Sequence, residues 1–302
     1  MPHKETLEIS EAKAPSVFRD YVALAKPRLA SLVVISSVLG YGLATGMAAW
    51  DWMQVMALVL GGFFVTGGSN GLNQVIEYQS DQLMNRTKDR PIAAGRLTRS
   101  QGIVFSTLIS ILGLFLILQF TNFNAFILAL SALVSYAFIY TPLKKVTPWA
   151  VFVGAFPGAI PPMLGWIAAT GEFGLEPGAL FAIQFIWQFP HFWSIAWVLD
   201  EDYSKAGIRL LPSKGGKNQQ SAFMVLLYSL FLIPVGLLPW ALNTTGIISA
   251  VIGVGLSSFF SYMAFLFYKE QDDRSAKQLM FTTFFYLPVL QIIFVLDRVQ
   301  IG

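Results

Sequence analysis

Gln54-Val-Met-Ala-Leu-Val-Leu-Gly-Gly-Phe-Phe-Val-Thr-Gly-Gly-Ser-Asn-Gly-Leu-Asn-Gln-Val75 is uncharged from end to end. It runs into a loop, 76–102, that holds Arg86, Lys88, Arg90, Arg96 and Arg99. A helix needs roughly 20 apolar residues to cross the hydrocarbon core of a bilayer, so the run has the length of a membrane span and the loop has the chemistry of a membrane surface. The unit recurs. Apolar runs at 29–47, 54–75, 103–120, 123–140, 148–169, 178–199, 221–240, 246–268 and 278–297 predict nine transmembrane helices, none with Lys or Arg in its interior. Glycines and prolines inside these runs, such as Gly61, Gly67, Pro157 and Pro190, are compatible with spanning helices whose neighbours satisfy the freed backbone groups.

The connections alternate in charge. Loops 48–53, 121–122, 170–177 and 241–245 contain no Lys or Arg, whereas 76–102, 141–147, 200–220 and 269–277 are all basic. The N-terminal tail adds Lys4, Lys13, Arg19, Lys26 and Arg28, so only Arg298 of the 20 Lys and Arg falls on the other side. The positive-inside rule places the N-terminus and the basic loops in the cytoplasm. Composition agrees with a membrane protein: 55% of the residues are hydrophobic and 12% charged, against roughly 25% charged in soluble domains. The absence of cysteine excludes disulfides and thiol chemistry, and His3 and His191 are too few for a histidine metal cage. Residues 1–28 are polar and without a signal-peptide core. They are expected to form a cytoplasmic tail that approaches the membrane amphipathically, followed by one transmembrane domain over 29–302.

Four groups of residues carry chemistry. Asn73, Glu77 and Asp81 recur at intervals of four. Such an interval drifts only about 40° around a helix, so the three share one face. Oxygen ligands there suit Mg2+, which takes one or two carboxylates and leaves positions for water and substrate phosphate. Arg86 and Arg90 follow, themselves four apart, and have the fork geometry for phosphate oxygens. A solvated, ion-paired helix end explains any one of these residues, but all five together poorly. Next, Asp200-Glu201-Asp202-Tyr203-Ser204-Lys205 directly follows the sixth run. Acids on an otherwise basic surface suggest a held cation. Two acidic clusters on one side imply one di-cation site between them, with diphosphate as its natural ligand and Tyr203 and Lys205 beside it; the alternative is a polar helix stop. No Gly-x-x-x-x-Gly-Lys loop is present, so the phosphate site is not a P-loop.

Tyr140 and Lys144, four apart at the end of the fourth run, offer a hydroxyl and an ammonium to a leaving phosphate. An interfacial tyrosine beside positive-inside lysines is the plainer reading. His191, within Gln188-Phe-Pro190-His191-Phe-Trp193, lies at membrane depth, where an ionisable residue marks a functional site unless a neighbouring helix satisfies it. Lys26 and Arg28 open the first run, as phosphate or propionate partners or as surface anchors. The 26 Phe supply ring faces, some of which can stabilise a cation inside the bundle.

Two acidic motifs after the second and sixth runs, with an apolar bundle below, resemble the UbiA superfamily of intramembrane prenyltransferases. The resemblance extends from about Lys26-Pro27-Arg28 to the ninth run. Within it, Tyr21-Val-Ala-Leu-Ala-Lys26-Pro27-Arg28, Met84-Asn-Arg86-Thr87-Lys-Asp-Arg90-Pro91, Tyr140-Thr-Pro-Leu-Lys144, Pro190-His191-Phe-Trp193 and Asp202-Tyr203-Ser-Lys-Ala-Gly207-Ile-Arg-Leu-Leu211-Pro212 are similar to the branch that farnesylates protoheme IX. The last two stretches are the specific ones. The family's first motif usually reads Asn-x-x-x-Asp-x-Asp-x-Asp; here Glu77 and Gln79 stand in place of two of its acids, and Gln79 removes a negative charge.

The resemblance implies an all-α, UbiA-like bundle of nine transmembrane helices; the long charged loops after the second and sixth runs hint at a four-helix pseudo-repeat. It implies transfer of farnesyl from farnesyl diphosphate to a vinyl group of protoheme IX (heme B), with addition of water, giving heme O and diphosphate. Mg2+ would sit on Asn73, Glu77, Asp81, Asp200 and Asp202, the diphosphate on Arg86, Arg90, Lys144 and Tyr140, and the heme against His191 as iron ligand or propionate partner. The expected location is the cell inner membrane with the active site facing the cytoplasm. The lipid bilayer and heme A synthase are expected partners; nucleic acid is not. Two rivals are prenylation of a quinone precursor or other aromatic acceptor, which the Pro-His-Phe-Trp stretch opposes, and transport, which the nearly uncharged mid-spans oppose.

Overall fold

A computed structural model describes residues 16–299. Lys4, Lys13 and His3 lie outside them. In hydrocarbon every backbone polar group must be satisfied within the segment, so the apolar runs become helices. These are α1 (Val17–Ala25), α2 (Pro27–Thr45), α3 (Trp52–Leu83), α4 (Arg99–Phe120), α5 (Phe123–Val134), α6 (Thr141–Leu143), α7 (Ala150–Thr170), α8 (Leu175–Val198), α9 (Asp200–Lys205), α10 (Gln219–Gly236), α11 (Leu238–Ala241), α12 (Ile247–Glu270) and α13 (Asp273–Leu296). A π-helical turn, Ser135–Tyr140, joins α5 to α6. Among the described residues the only β pairing is an isolated bridge between Thr245 and Arg298.

Eight helical segments among the described residues are long and apolar enough to cross a membrane. The expected span 178–199 corresponds to α8, which has the length, 24 residues, but not the apolarity of the other eight. Gln184, Gln188, Pro190 and His191 interrupt it. Its glutamines find partners inside the bundle: Gln184 donates to the Gly158 carbonyl at 2.6 Å and accepts from Ser36 and Gln291, and Gln188 donates to the Ala155 carbonyl at 3.0 Å. A polar knot thus ties α2, α7, α8 and α13 at membrane depth. Two other boundaries differ from expectation. The span expected over 54–75 continues to Leu83, because no breaker intervenes, and so α3 carries Glu77 and Asp81 as well as Asn73. The first span is preceded by α1, and the two break at Lys26 because the residue before a proline is pushed out of the helical region.

Packing relies on small residues at crossings. A methyl placed on Gly165 of α7 would run into the Ser37 carbonyl and the Tyr41 amide of α2, and one on Gly40 would meet the backbone of Pro162. The two backbones approach as closely as glycine permits, which is how membrane helices gain dispersion energy without a hydrophobic drive. At one end of the bundle Asp20 pairs with Arg96 at 2.8 Å and Lys217 with Asp273 at 2.7 Å, joining the termini that carry the basic loops. At the other end Arg298 donates to the carbonyls of Leu43 and Ala44 at 2.7 and 2.9 Å. The lone cation of that side therefore caps the C-terminus of α2, where its charge also complements the helix dipole.

Gly165→Val is expected to destabilise the bundle by about 1–3 kcal/mol through overpacking, whereas Gly255→Val, where nothing lies within 4 Å, is expected to be neutral. Thermal unfolding of both variants in the same detergent checks this.

Candidate active site

The side chains of Asn73, Glu77 and Asp81 project from one face of α3 and are buried, Asp81 completely. Burying two carboxylates at a membrane end is costly unless each is paired, and here each has a cation from another segment. Arg90 places one guanidinium nitrogen 2.8 Å from both Asp81 oxygens. Lys144 is ion-paired with Glu77 through Oε1. The Asn73 amide nitrogen donates to Glu77 Oε2 at 2.9 Å and to the Thr141 hydroxyl at 3.0 Å, which leaves its own oxygen free to accept.

Lys144 reaches Glu77 because of the π-helical turn. There the Thr141 N–H bonds the Tyr136 carbonyl five residues back rather than four, and the Thr141 hydroxyl donates to the same carbonyl at 2.8 Å. Such turns favour functional positions. Beyond it, the Lys144 ammonium lies 4.8 Å above the Tyr140 ring, and Tyr140 is buried. The turn and Thr141 were not singled out from sequence; Thr141 before Pro142 was the available signal.

The loop after α3 is held from both sides. Ile92 and Leu97 pack in a small cluster with Leu24 and Val75, and Thr87 donates to the Asp81 carbonyl at 2.9 Å. From α9, Asp202 accepts the backbone N–H groups of Asn85 and Arg86 at 2.8 and 3.2 Å, with Lys205 at 3.2 Å. Burial works to raise the Asp202 carboxyl, but these donors outweigh it and hold the group below the usual carboxylate range. Its clamp is therefore complete at neutral pH and is lost only as pH falls through that lowered value. The Arg86 guanidinium lies 5.8 Å over the Tyr203 ring. The second acidic motif thus closes on the first loop.

The five oxygen ligands expected from sequence are not gathered into one set. Among the described residues no three His, Asp or Glu side chains stand close enough to hold a metal ion. The reason is helical phase: Asp200 and Asp202 are two residues apart on α9 and so point in different directions. Asp202 faces the loop after α3, while the charges around Asp200 are Lys217, Arg209, Glu201 and Asp273; burial pushes its carboxyl up against the pull of the two cations. The set Asn73, Glu77 and Asp81 still fits Mg2+ by its chemistry, being hard oxygens on one face with the Asn73 oxygen unused. Among the other candidates, Lys26 is half-buried near this group, whereas Arg28, Arg86 and Lys205 are exposed.

His191 lies between α8 and α13. Its Nδ1 is 2.7 Å from the Thr283 hydroxyl, which spends its own hydrogen on the Met280 carbonyl at 2.6 Å. Nδ1 is therefore the donor, and the lone pair is on Nε2. Trp187 stacks on the imidazole at 4.4 Å and donates to the Thr283 carbonyl at 3.1 Å, and Phe284 meets it edge-on. Thr283 and Trp187 were also missed in the sequence.

A helical membrane bundle with paired, buried charges at the head of an apolar interior is an intramembrane enzyme scaffold rather than a simple anchor. The model of the UbiA prenyltransferase family matches residues 33–287, and the chain belongs to that family. It is 50% identical over 284 residues to the protoheme IX farnesyltransferase of Cytophaga hutchinsonii, covering 94% of this chain and 99% of that one. It is 44% identical over 301 residues to the enzyme of the same name from Flavobacterium johnsoniae, covering 98% of each. Among solved structures, digeranylgeranylglyceryl phosphate synthase superposes with a TM-score of 0.77 at 21% identity, over 93% of this chain and 98% of that one. A UbiA homolog from Archaeoglobus fulgidus bound to GPP and Mg2+ gives 0.66 at 14% identity, over 91% and 99%.

Asp202→Ala is expected to speed hydrogen exchange at the Asn85 and Arg86 amides on the order of tenfold, while amides in α12 stay unchanged. Exchange followed by mass spectrometry in detergent micelles checks the clamp.

Proposed function

We propose that this chain transfers the farnesyl group of farnesyl diphosphate to a vinyl group of protoheme IX, with addition of water, at the end of the bundle that carries the basic loops. The observation that carries the reading is the pairing of Glu77 with Lys144 and Asp81 with Arg90 above an apolar interior, in a chain half identical to a protoheme IX farnesyltransferase. The basic loops argue that this end faces the cytoplasm, with the chain in the cell inner membrane and residues 29–302 acting as one domain.

The site has to stabilise a leaving diphosphate and a brief allylic cation. Bound at Asn73, Glu77 and Asp81, Mg2+ would supply Lewis-acid neutralisation of the diphosphate. Arg90 and Lys144 then turn from their carboxylates to phosphate oxygens, with Tyr140 and Arg86 as further donors. Asp202 holds the loop that delivers both arginines. As the bond between farnesyl C1 and oxygen breaks, its electron pair leaves with the diphosphate. The vinyl π electrons form the new carbon–carbon bond, and water adds to the resulting cation and loses a proton to give the hydroxyl. Stabilising charge as it develops is the largest contribution such a site can make. On α7 and α8, Phe152, Phe185, Phe189 and Trp193 stand in edge and tilted contacts at 5.2–6.0 Å, and ring faces of this kind suit an allylic cation and a prenyl tail. His191, whose lone pair is on Nε2, would contact the heme. A heme A synthase is the natural recipient of the product.

Membranes containing the chain, given hemin, farnesyl diphosphate and Mg2+, are expected to yield a heme heavier by one farnesyl plus water. An unchanged heme, or prenylation of an added aromatic acid instead, overturns the assignment. Asp81→Ala is expected to lower turnover by roughly 10²–10³, as removal of one developing-charge stabiliser does. His191→Ala is expected to abolish the Soret shift on hemin binding; an unaltered spectrum removes the heme contact.

A further inference from the structure

The break between α1 and α2 is strained, and its strain is held by α3. Lys26 takes φ 50° and ψ 65°, one of three non-glycine residues with positive φ among those described. A left-handed backbone costs an L-residue roughly 1–2 kcal/mol, and glycine or asparagine would relieve it. Pro27 explains why the helix breaks but not why the broken residue is a lysine in this conformation. The last carbonyls of α1 are capped from across the interface. Gln74 donates to the Leu24 carbonyl at 2.8 Å, and Asn70 to the Ala25 carbonyl at 3.4 Å. Both amides are buried, at 1% exposure each, inside a membrane helix where an idle polar group is costly. They lie on the same face of α3 as Asn73, Glu77 and Asp81.

The lysine so placed has an unusual charge setting. The charged groups that act on it are Arg90, Lys144, Glu77 and Asp81, the members of the candidate site. Glu77 is paired with Lys144 and Asp81 with Arg90. Three basic groups thus stand around two carboxylates, and Lys26 is the one left without an ion pair among the described residues.

We infer that Lys26 is a diphosphate-binding group of the site and that Asn70 and Gln74 are positioning residues that hold its strained backbone so that its ammonium faces the other charges. This rests on the reading of the site as one for a prenyl diphosphate. An ammonium can equally hold a heme propionate, but the neighbours of Lys26 are the diphosphate candidates and not His191.

Binding of inorganic diphosphate with Mg2+, and separately of hemin, to the detergent-solubilised chain tests the inference. Wild-type protein is expected to bind both. Lys26→Met and Lys26→Gly are each expected to weaken diphosphate about tenfold and leave hemin unchanged, while Lys26→Arg stays within about threefold, as loss and retention of one charged hydrogen-bond donor imply. Lys26→Gly relieves the left-handed strain, so it is expected to unfold no earlier than wild type, which separates lost binding from lost folding. Asn70→Ala with Gln74→Ala is expected to weaken diphosphate several-fold when Lys26 is present and to add nothing in the Lys26→Met background, a coupling that mere destabilisation does not produce. Unchanged diphosphate affinity in both Lys26→Met and Lys26→Gly, or a loss confined to hemin, overturns the lysine's role. Equal losses in both backgrounds overturn the positioning role. Wild-type protein that binds no diphosphate overturns the functional reading itself, and the inference with it.

Discussion

Two carboxylates buried at a membrane end, Glu77 and Asp81, constrain the surrounding architecture. An unpaired buried charge costs several kcal/mol, so each acid requires a cation, and α3 supplies none in reach. Arg90 comes from a loop that must fold back over the helix that precedes it. Lys144 comes from the far end of the next hairpin and must be turned inward to arrive. The cluster of Ile92 and Leu97 with Leu24, the Asp202 clamp and the Thr141 contact to Asn73 all serve those two pairings. The same pairings are what a diphosphate would exchange into, since a phosphate competes for arginine and lysine on the terms a carboxylate does.

What was legible in the sequence is what local periodicity controls. The interval of four in Asn73, Glu77 and Asp81 sets a helix face whatever surrounds it, and apolar length sets a span. α8 marks the limit of the second rule. Hydropathy averages over a helix, whereas Gln184 and Gln188 are satisfied one at a time by Ser36, Gln291 and backbone carbonyls on other helices. Long-range meetings were not legible. Asp202 reaches Asn85 across 117 residues of sequence, and nothing in either motif says that the acid will accept amides. Asp200 turned away for a reason that was available, because a spacing of two on a helix cannot aim two side chains at one point.

Polar residues within apolar runs proved to be of two kinds. Some tie helices together, as in the knot of Ser36, Gln184 and Gln291, and others hold chemically useful groups in place, as Thr283 does for His191 and Thr141 for Asn73. Composition does not separate them. What separates them is whether the group they hold stands with the ion pairs of Glu77 and Asp81 or is the imidazole of His191.

The π-helical turn at Ser135–Tyr140 amounts to one residue more than a regular helix would hold. Each residue of helix turns the chain beyond it by about 100°, so deleting one residue there would restore a continuous α-helix and swing Lys144 away from Glu77. A lipid-facing helix would thereby lose its polar end without losing any apolar length. The acquisition or loss of a charged site in a bundle of this kind is thus a question of phase rather than of composition, and a single codon is the smallest step that crosses it.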